Sequence, residues 1–332
     1  MLFIFLLTIM LIQLQHACCN IAMYDTSQIT KLYDNFLTKY PRDFNSDTIS
    51  YKERLKIFRE NVQLIEKLNN ENSSAIYEIN KFADWSDKEF NAFSGPLFKP
   101  NRRVSRSYDP NWIRVIPDGT PYPSSWDWRK KGGVTAVKEQ TYECHSCYAY
   151  AVAAVIESLY AIKYRQYISI SEYEMLDCDY NNNGCKNGSI KNSMEHGKYV
   201  GFTQTVNYPE LLGYQYFCTL HNKIFIRNLY QIDPDPNLMA WFVANVAPVA
   251  SNLEFPKQYA FYKSGVISDT WACPTMKPNH AVEIVGYGME NGKKYWLIKN
   301  SWGERWGDHG FFKIQRGINA CRIETYVVSA DL

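Results

Sequence analysis

No Asp, Glu, Lys or Arg precedes Asp25, and Met1 to Leu14 are almost wholly apolar. The apolar run itself, Met1 to Leu14, is shorter than the roughly 20 residues a bilayer crossing requires, which argues against the alternative of a transmembrane anchor. It reads instead as a secretory signal peptide over residues 1–19, with cleavage near Ala17 to Ala22 and no basic residue at its start. Charge of one sign is also lacking. A formal net charge of +2 argues against a nucleic-acid partner. His145, His196, His221 and His309 show no metal-ligand spacing, so neither a metal site nor a cofactor is expected. Internal repeats and long low-complexity tracts are missing too.

The chain has 332 residues, 46% of them hydrophobic and 21% charged. That is ordinary globular composition, with material for two domains or for one enzyme plus removable segments. Cysteine is better represented, at nine. Cys18 and Cys19 lie in or beside the leader. Cys144, Cys147, Cys178, Cys185, Cys218, Cys273 and Cys321 remain, an odd set. Export favours disulfides, so three bridges and one free thiol are expected, with connectivity open.

From Thr30 to Asn72 the pattern is helical and highly charged. Arg54, Phe58, Asn61, Ile65 and Asn69 recur at steps that keep them on one helix face. Arg and Asn on such a face point to a specific packing partner. Tyr77 to Asp84 alternates as a strand does. Gly95 to Tyr122 reads as a linker, with Arg102, Arg103 and Arg106 open to proteases. Tyr148 to Ile162 is apolar on all faces, as a buried helix is. Short strands are expected at 281–287, 294–299, 310–315 and 326–329. Helix-rich first and strand-rich second gives an α+β fold with a cleft between the two parts.

Cys147, His280 and Asn300 supply a thiol, an imidazole and an amide, far apart in sequence. Together they make a nucleophile, a base and an orienting group. Cys147 opens the apolar helix, where terminal amides favour thiolate. A Cys144–Cys147 disulfide or an inert buried thiol is the plain alternative. A Cys-x-x-Cys redox site needs a strand–helix–strand unit that does not precede it here. His280 alone reads as a solvated loop residue, and Asn300 alone as a turn residue. An oxyanion needs donors about 3 Å away, and the Cys147 amide and Gln140 side chain can supply them. Sequons stand at Asn72 and Asn187, making a glycoprotein possible on paper, although a glycan at Asn187 would crowd the cleft.

On these residues the chain resembles the papain-like cysteine proteases of the cathepsin L branch, as a full preproenzyme. The face Arg54, Phe58, Asn61, Ile65, Asn69 is similar to the ERFNIN motif of their propeptides, and Asn80, Phe82 and Asp84 to the motif that follows it. Trp126-Asp127-Trp128-Arg129 looks like the start of a mature enzyme, with cleavage between Val115 and Pro123. The overall pattern is also similar to the cathepsins carried by insect baculoviruses, which break down host tissue. The resemblance implies a helical left domain, a β-barrel right domain and an active-site groove between them. It implies the pairs Cys144–Cys185, Cys178–Cys218 and Cys273–Cys321, leaving Cys147 free. It implies substrate contacts at Gly188, Ile190, Ala281, Trp302 and Tyr326. The propeptide would be an intramolecular inhibitor, released at acidic pH.

The expected layout is therefore leader 1–19, inhibitory propeptide 23–118 and protease domain 119–332. The expected activity is that of a monomeric cysteine endopeptidase, secreted or lysosome-type, acting on protein substrates through an acyl-thioenzyme. A catalytically silent binding protein is the alternative, prompted by several departures from the family pattern. One extra residue lies between Gln140 and Cys144, so Gln140 must loop differently to reach the oxyanion. His145 replaces a glycine, which crowds the substrate backbone, and Tyr148 replaces a tryptophan. Lys186 and Asn187 replace Asn and Gly. Ser50 stands where the propeptide motif has Glu, and Glu78 where it has Gly.

Overall fold

The structure, a computed structural model, describes residues 25–71, 74–95, 97, 110–142, 144–208, 218, 223–268 and 272–332. The leader at 1–19, the Asn72 sequon, Arg102, Arg103, Arg106 and His221 lie outside these residues. Contacts divide the chain into a small unit, holding the first two helices and Ile79–Trp85, and a large one running through Ser86–Leu332 and taking in the strand at 75–77.

In the small unit the expected single helical run is broken in two. Helix α1 (Thr26–Lys39) starts at a capping box, with Asp25 accepting from the Gln28 amide at 2.8 Å. It stops ahead of Pro41, whose ring disfavours helical geometry in the residue before it. Helix α2 (Tyr51–Asn70) restarts at Ser50, whose hydroxyl accepts from the Glu53 amide. The departure at Ser50 thus has a local job as a cap.

The polar members of the α2 face find their partner in the turn at 79–85. Asn61 Nδ2 donates to Ala83 O at 2.8 Å and Trp85 O at 3.0 Å. Arg54 Nη1 donates to Asp84 O at 3.0 Å while its other nitrogens pair with Asp47. Asp84 in turn holds Arg42. This corrects the expected strand over 77–84: strand β1 is only Ala75–Tyr77, because Asn80 Oδ1 accepts from the Phe82 amide and curls the chain. Asn61→Leu removes both of these buried hydrogen bonds, an expected loss of roughly 2–4 kcal/mol in the small unit. Limited proteolysis should then cut first within Ile79–Trp85; unchanged protection there would rule out this anchoring role.

The large unit begins with β1 and helix α3 (Asp87–Ser94), which Ser86 and Glu89 open with a second capping box. Glu78, the other propeptide departure, extends the β1 pairing by donating its amide to Phe261 O at 2.8 Å, and its carboxylate meets Lys263. Helix α4 (Cys147–Tyr164) is buried on nearly every face. Shorter helices follow at α5 (Glu172–Cys178), α6 (Ile190–Tyr199) and α7 (Pro236–Asn245).

Strands β2 (Ile113–Arg114), β3 (Trp126–Asp127), β4 (Asn228–Ile232), β5 (Val249–Leu253), β6 (Tyr262–Ile267), β7 (His280–Glu290), β8 (Lys293–Lys299), β9 (Phe311–Gln315) and β10 (Val327–Asp331) complete the elements used here. They join β1 in one sheet of order β1-β6-β9-β8-β7-β5-β10-β4-β2, with β3 on β7. The 95–122 stretch read as linker contributes β2, parallel to β4, and a buried Trp112 that donates to Glu195. A tryptophan in a polar, Pro-rich stretch outweighed the composition around it.

The decisive element for function is the β7–β8 hairpin. Its turn is Asn291-Gly292, both at positive φ, the geometry that two-residue hairpins prefer. Because the strands run antiparallel, with Glu283 opposite Lys299, the first residue of β7 and the residue after β8 lie at the same sheet end. Those residues are His280 and Asn300.

Candidate active site

His280 Nε2 meets Asn300 Oδ1 at 2.7 Å, and the same oxygen accepts from the Ser301 amide at 2.9 Å. An oxygen accepts, so the ring proton sits on Nε2 and Nδ1 carries the lone pair. His280 Nδ1 is buried with no hydrogen-bond partner. A base oriented at one nitrogen and vacant at the other is the result. Trp302 lies over this bond, its ring centroid 4.9 Å from that of His280. Phe255 closes the edge at 5.6 Å. The aromatic wall keeps water from competing for the His280–Asn300 hydrogen bond.

Cys147, the first residue of α4, is a free cysteine, with 2% of its surface exposed. Its neighbour Cys144 is joined to Cys185, and Cys178–Cys218 and Cys273–Cys321 are joined as well. Burial pushes the Cys147 thiol up from 9.0 to about 11, against the smaller downward pull of the Ala281, Tyr148 and Cys147 amides. The helix-end amides therefore act as expected but are outweighed in this latent form. Ala281 follows His280, so its amide places the sulfur at the first rung of β7. Burial also lowers His280 from 6.5 to about 4, with Asn300 pulling weakly the other way. Both groups rest neutral.

Gln140 reaches the same place despite the extra loop residue. Its amide donates to Ser301 O at 2.8 Å, and its Oε1 accepts from Ser301 Oγ at 2.8 Å. Glu139 bridges Trp302 just before it. The anchoring is upstream of the insertion, so the extra residue is absorbed after Gln140. Its Nε2 is buried without a hydrogen-bond partner, a donor held ready for an acceptor. Ser301 thus links the amide donor to the Asn300 turn. Its role was not visible in the sequence, where a serine after Asn300 has no periodic signal.

Tyr148 donates to Gly184 O at 3.0 Å, and its ring lies so close to Gly188 that an added Cβ there would sit 2.3 Å from it. Only glycine fits, which fixes the Gly184–Gly188 loop against the Cys147 helix. Ile190 and Ala281 are fully buried, while Tyr326 is half-buried and accepts at its carbonyl from Ser251. His145 does not project freely. Its Nδ1 faces Lys186 O at 2.9 Å, its Nε2 faces Ala92 O of α3, and its ring lies against Gly95. Phe90 and Phe93 of the same helix pack on Trp302, at centroid distances of 5.9 and 5.6 Å. Helix α3 therefore spans from the histidine wall to the cysteine wall.

A free thiol at a helix start, an imidazole fixed by an amide, and helix α3 packed on both Trp302 and His145 define a latent thiol hydrolase. Residues 122–330 match the papain family cysteine protease model and residues 33–90 the cathepsin propeptide inhibitor domain (I29) model, so the chain belongs to the papain family of cysteine proteases, with a cathepsin-type propeptide. It is a cysteine peptidase. Among relatives, it is 32% identical to the viral cathepsin of Adoxophyes honmai nucleopolyhedrovirus, covering 92% of each chain. It is 33% identical to the pro-cathepsin H of Medicago truncatula, over 88% of this chain and 83% of the relative. The structure of digestive procathepsin L2 proteinase from Tenebrio molitor larval midgut superposes with a TM-score of 0.82 at 30% identity, covering 92% of this chain and 100% of that one.

Proposed function

We propose that the chain is the latent precursor of a secreted or lysosome-type cysteine endopeptidase, opened at acidic pH and cutting extended protein chains. The observation that carries this reading is a free sulfur beside the amide of Ala281, the residue that follows His280, whose imidazole is committed to Asn300 at one nitrogen and vacant at the other. In this reading residues 1–19 are the leader, 23–118 the inhibitor and 119–332 the catalytic part, a monomer. The three disulfides and the leader support passage through an oxidising compartment. Similarity to viral cathepsins supports host tissue proteins as targets.

The chemistry runs through Cys147. Its proton passes to His280 Nδ1, and the sulfur attacks the scissile carbonyl carbon. The carbonyl electron pair moves to oxygen, where the Cys147 amide and Gln140 Nε2 receive it. Collapse breaks the C–N bond, and the leaving nitrogen takes the proton from His280. Water then gives a proton to His280 Nδ1 and attacks the thioester carbon; collapse breaks the C–S bond, releasing a carboxylic acid, and the imidazolium returns its proton to the sulfur. Asn300 holds the ring throughout. Gly188, Ile190, Ala281, Trp302 and Tyr326 border the substrate.

Acid opening follows from His280. A histidine whose pKa burial depresses lends the closed form its full stability above 6.5 and loses it as the pH falls toward 4. That difference amounts to ~3 kcal/mol in favour of any form that returns water to the ring. The full chain treated with an active-site-directed epoxide is expected to react at Cys147 near pH 4 and to resist near pH 7. Peptide mapping that finds the label elsewhere, or nowhere at either pH, would leave the silent binding protein as the better reading.

A further inference from the structure

A groove of about 450 Å³ runs beside His280, bordered by Glu254, Lys257, Thr275, Lys277 and Asn279 and, from helix α3, by Asp87. Its position is set by the sheet. Leu253 is the β5 partner of His280, and Asn279 donates its amide to Leu253 O at 3.0 Å. Asn279 Oδ1 accepts from the Phe255 amide at 2.6 Å. Glu254 is thereby pinned one residue beyond the rung that carries His280.

Glu254 is 6% exposed, and Thr275 fixes one of its carboxylate oxygens. Oε1 accepts from Thr275 Oγ1 at 2.8 Å and from the Thr275 amide at 3.2 Å. Oε2 is buried and has no hydrogen-bond partner. A buried carboxylate oxygen left bare costs free energy that an incoming cation recovers. Lys257 lines the same groove, yet its Nζ goes to Asp87 Oδ1 at 2.8 Å and leaves Glu254 unpaired.

Which part of a substrate lies here follows from the proton transfer. His280 must reach the nitrogen that leaves, so the residues after the scissile bond pass His280 and then meet Asn279 and Glu254. We propose that Glu254 forms a subsite for a lysine or arginine side chain within the first two positions after the cut. This rests on the peptidase reading, with His280 as the acid. Departure of α3 removes Asp87 and exposes the groove, leaving Lys257 and Lys277 as the competing cations.

The test uses the full chain after acid processing and internally quenched peptides that differ only in carrying Lys, Ala or Glu at each of the two positions in turn. At one position kcat/KM is expected to be about 10-fold higher for Lys than for Ala, with Glu lowest. Glu254→Gln is expected to bring the Lys-to-Ala ratio to within about twofold, while Lys257→Ala keeps or raises it. Should Glu254→Gln fail to fold, an acetyl-lysine peptide, which lacks the charge, should be cleaved by the unsubstituted enzyme within about twofold of the Ala peptide. A preference for Glu, equal cleavage of all three, a Lys advantage that survives Glu254→Gln, or an acetyl-lysine peptide cut as fast as the Lys peptide overturns the subsite. If the Lys, Ala and Glu peptides are all cleaved equally, only the subsite is lost; if no peptide is cleaved, the peptidase reading fails with it.

Discussion

Replacing Cys147 by alanine is expected to lower kcat for a peptide amide on the order of 10⁵–10⁶-fold, the scale reached when a nucleophile–base unit is broken. The sulfur is buried and outside all three disulfides, so its removal deletes the attacking atom without opening a crosslink. His280→Ala should cost nearly as much, because it removes the base that takes the thiol's proton. The double variant should be scarcely worse than either single one, since the two groups act as a unit. Steady-state kinetics with a fluorogenic peptide on acid-processed protein measure all three. Activity of Cys147→Ala within tenfold of the parent would remove the sulfur from the mechanism.

Much of this site was legible before the fold was known, because its residue types are chemically specific. A cysteine left over from an odd set, an imidazole and an amide suffice to suggest a thiol nucleophile with an oriented base. The α2 face was legible too, since Arg54, Phe58, Asn61 and Ile65 repeat with the helix. What that face touched was not. Asn61 binds carbonyls at Ala83 and Trp85, and a backbone acceptor leaves no mark on the sequence that presents it. The alternation over 77–84 misled for a related reason: Asn80 curls the chain by a side-chain bond that competes with strand pairing.

Departures from the family pattern became intelligible only with packing. Ser50 caps a helix, Glu78 meets Lys263, and Tyr148 fills space that forces glycine at 188. His145 was read as crowding a substrate, whereas in the full chain it faces Ala92 of helix α3 and lies against Gly95. Ionisation was the least legible property. Amides at a helix start pull a thiol pKa down, but the desolvation that outweighs them arises from every element packed around the sulfur. No local reading of Cys147 could supply that sum.

Gln140→Ala is expected to reduce kcat by about 10²–10³-fold with little change in KM, the signature of a donor used only when charge develops on the carbonyl oxygen. One hydrogen bond from Ser301 Oγ holds the side chain and a second, from the Gln140 backbone amide to Ser301 O, holds the main chain beneath it, so little reorganisation is needed at the moment of reaction. Because Oε1 is committed to Ser301 Oγ, the amide nitrogen is the atom turned away from that contact, and it is the one without a partner. Gln140→Glu should be more damaging than Gln140→Ala. It keeps the Ser301 contact but puts a carboxylate oxygen where the donor was, and like charge then faces the forming oxyanion. Ser301→Ala should show a smaller loss, since it frees the glutamine without deleting it. A threefold or smaller effect of Gln140→Ala, with Gln140→Glu no worse, would mean that the Cys147 amide stabilises the oxyanion without this side chain and that the bare nitrogen serves no catalytic step.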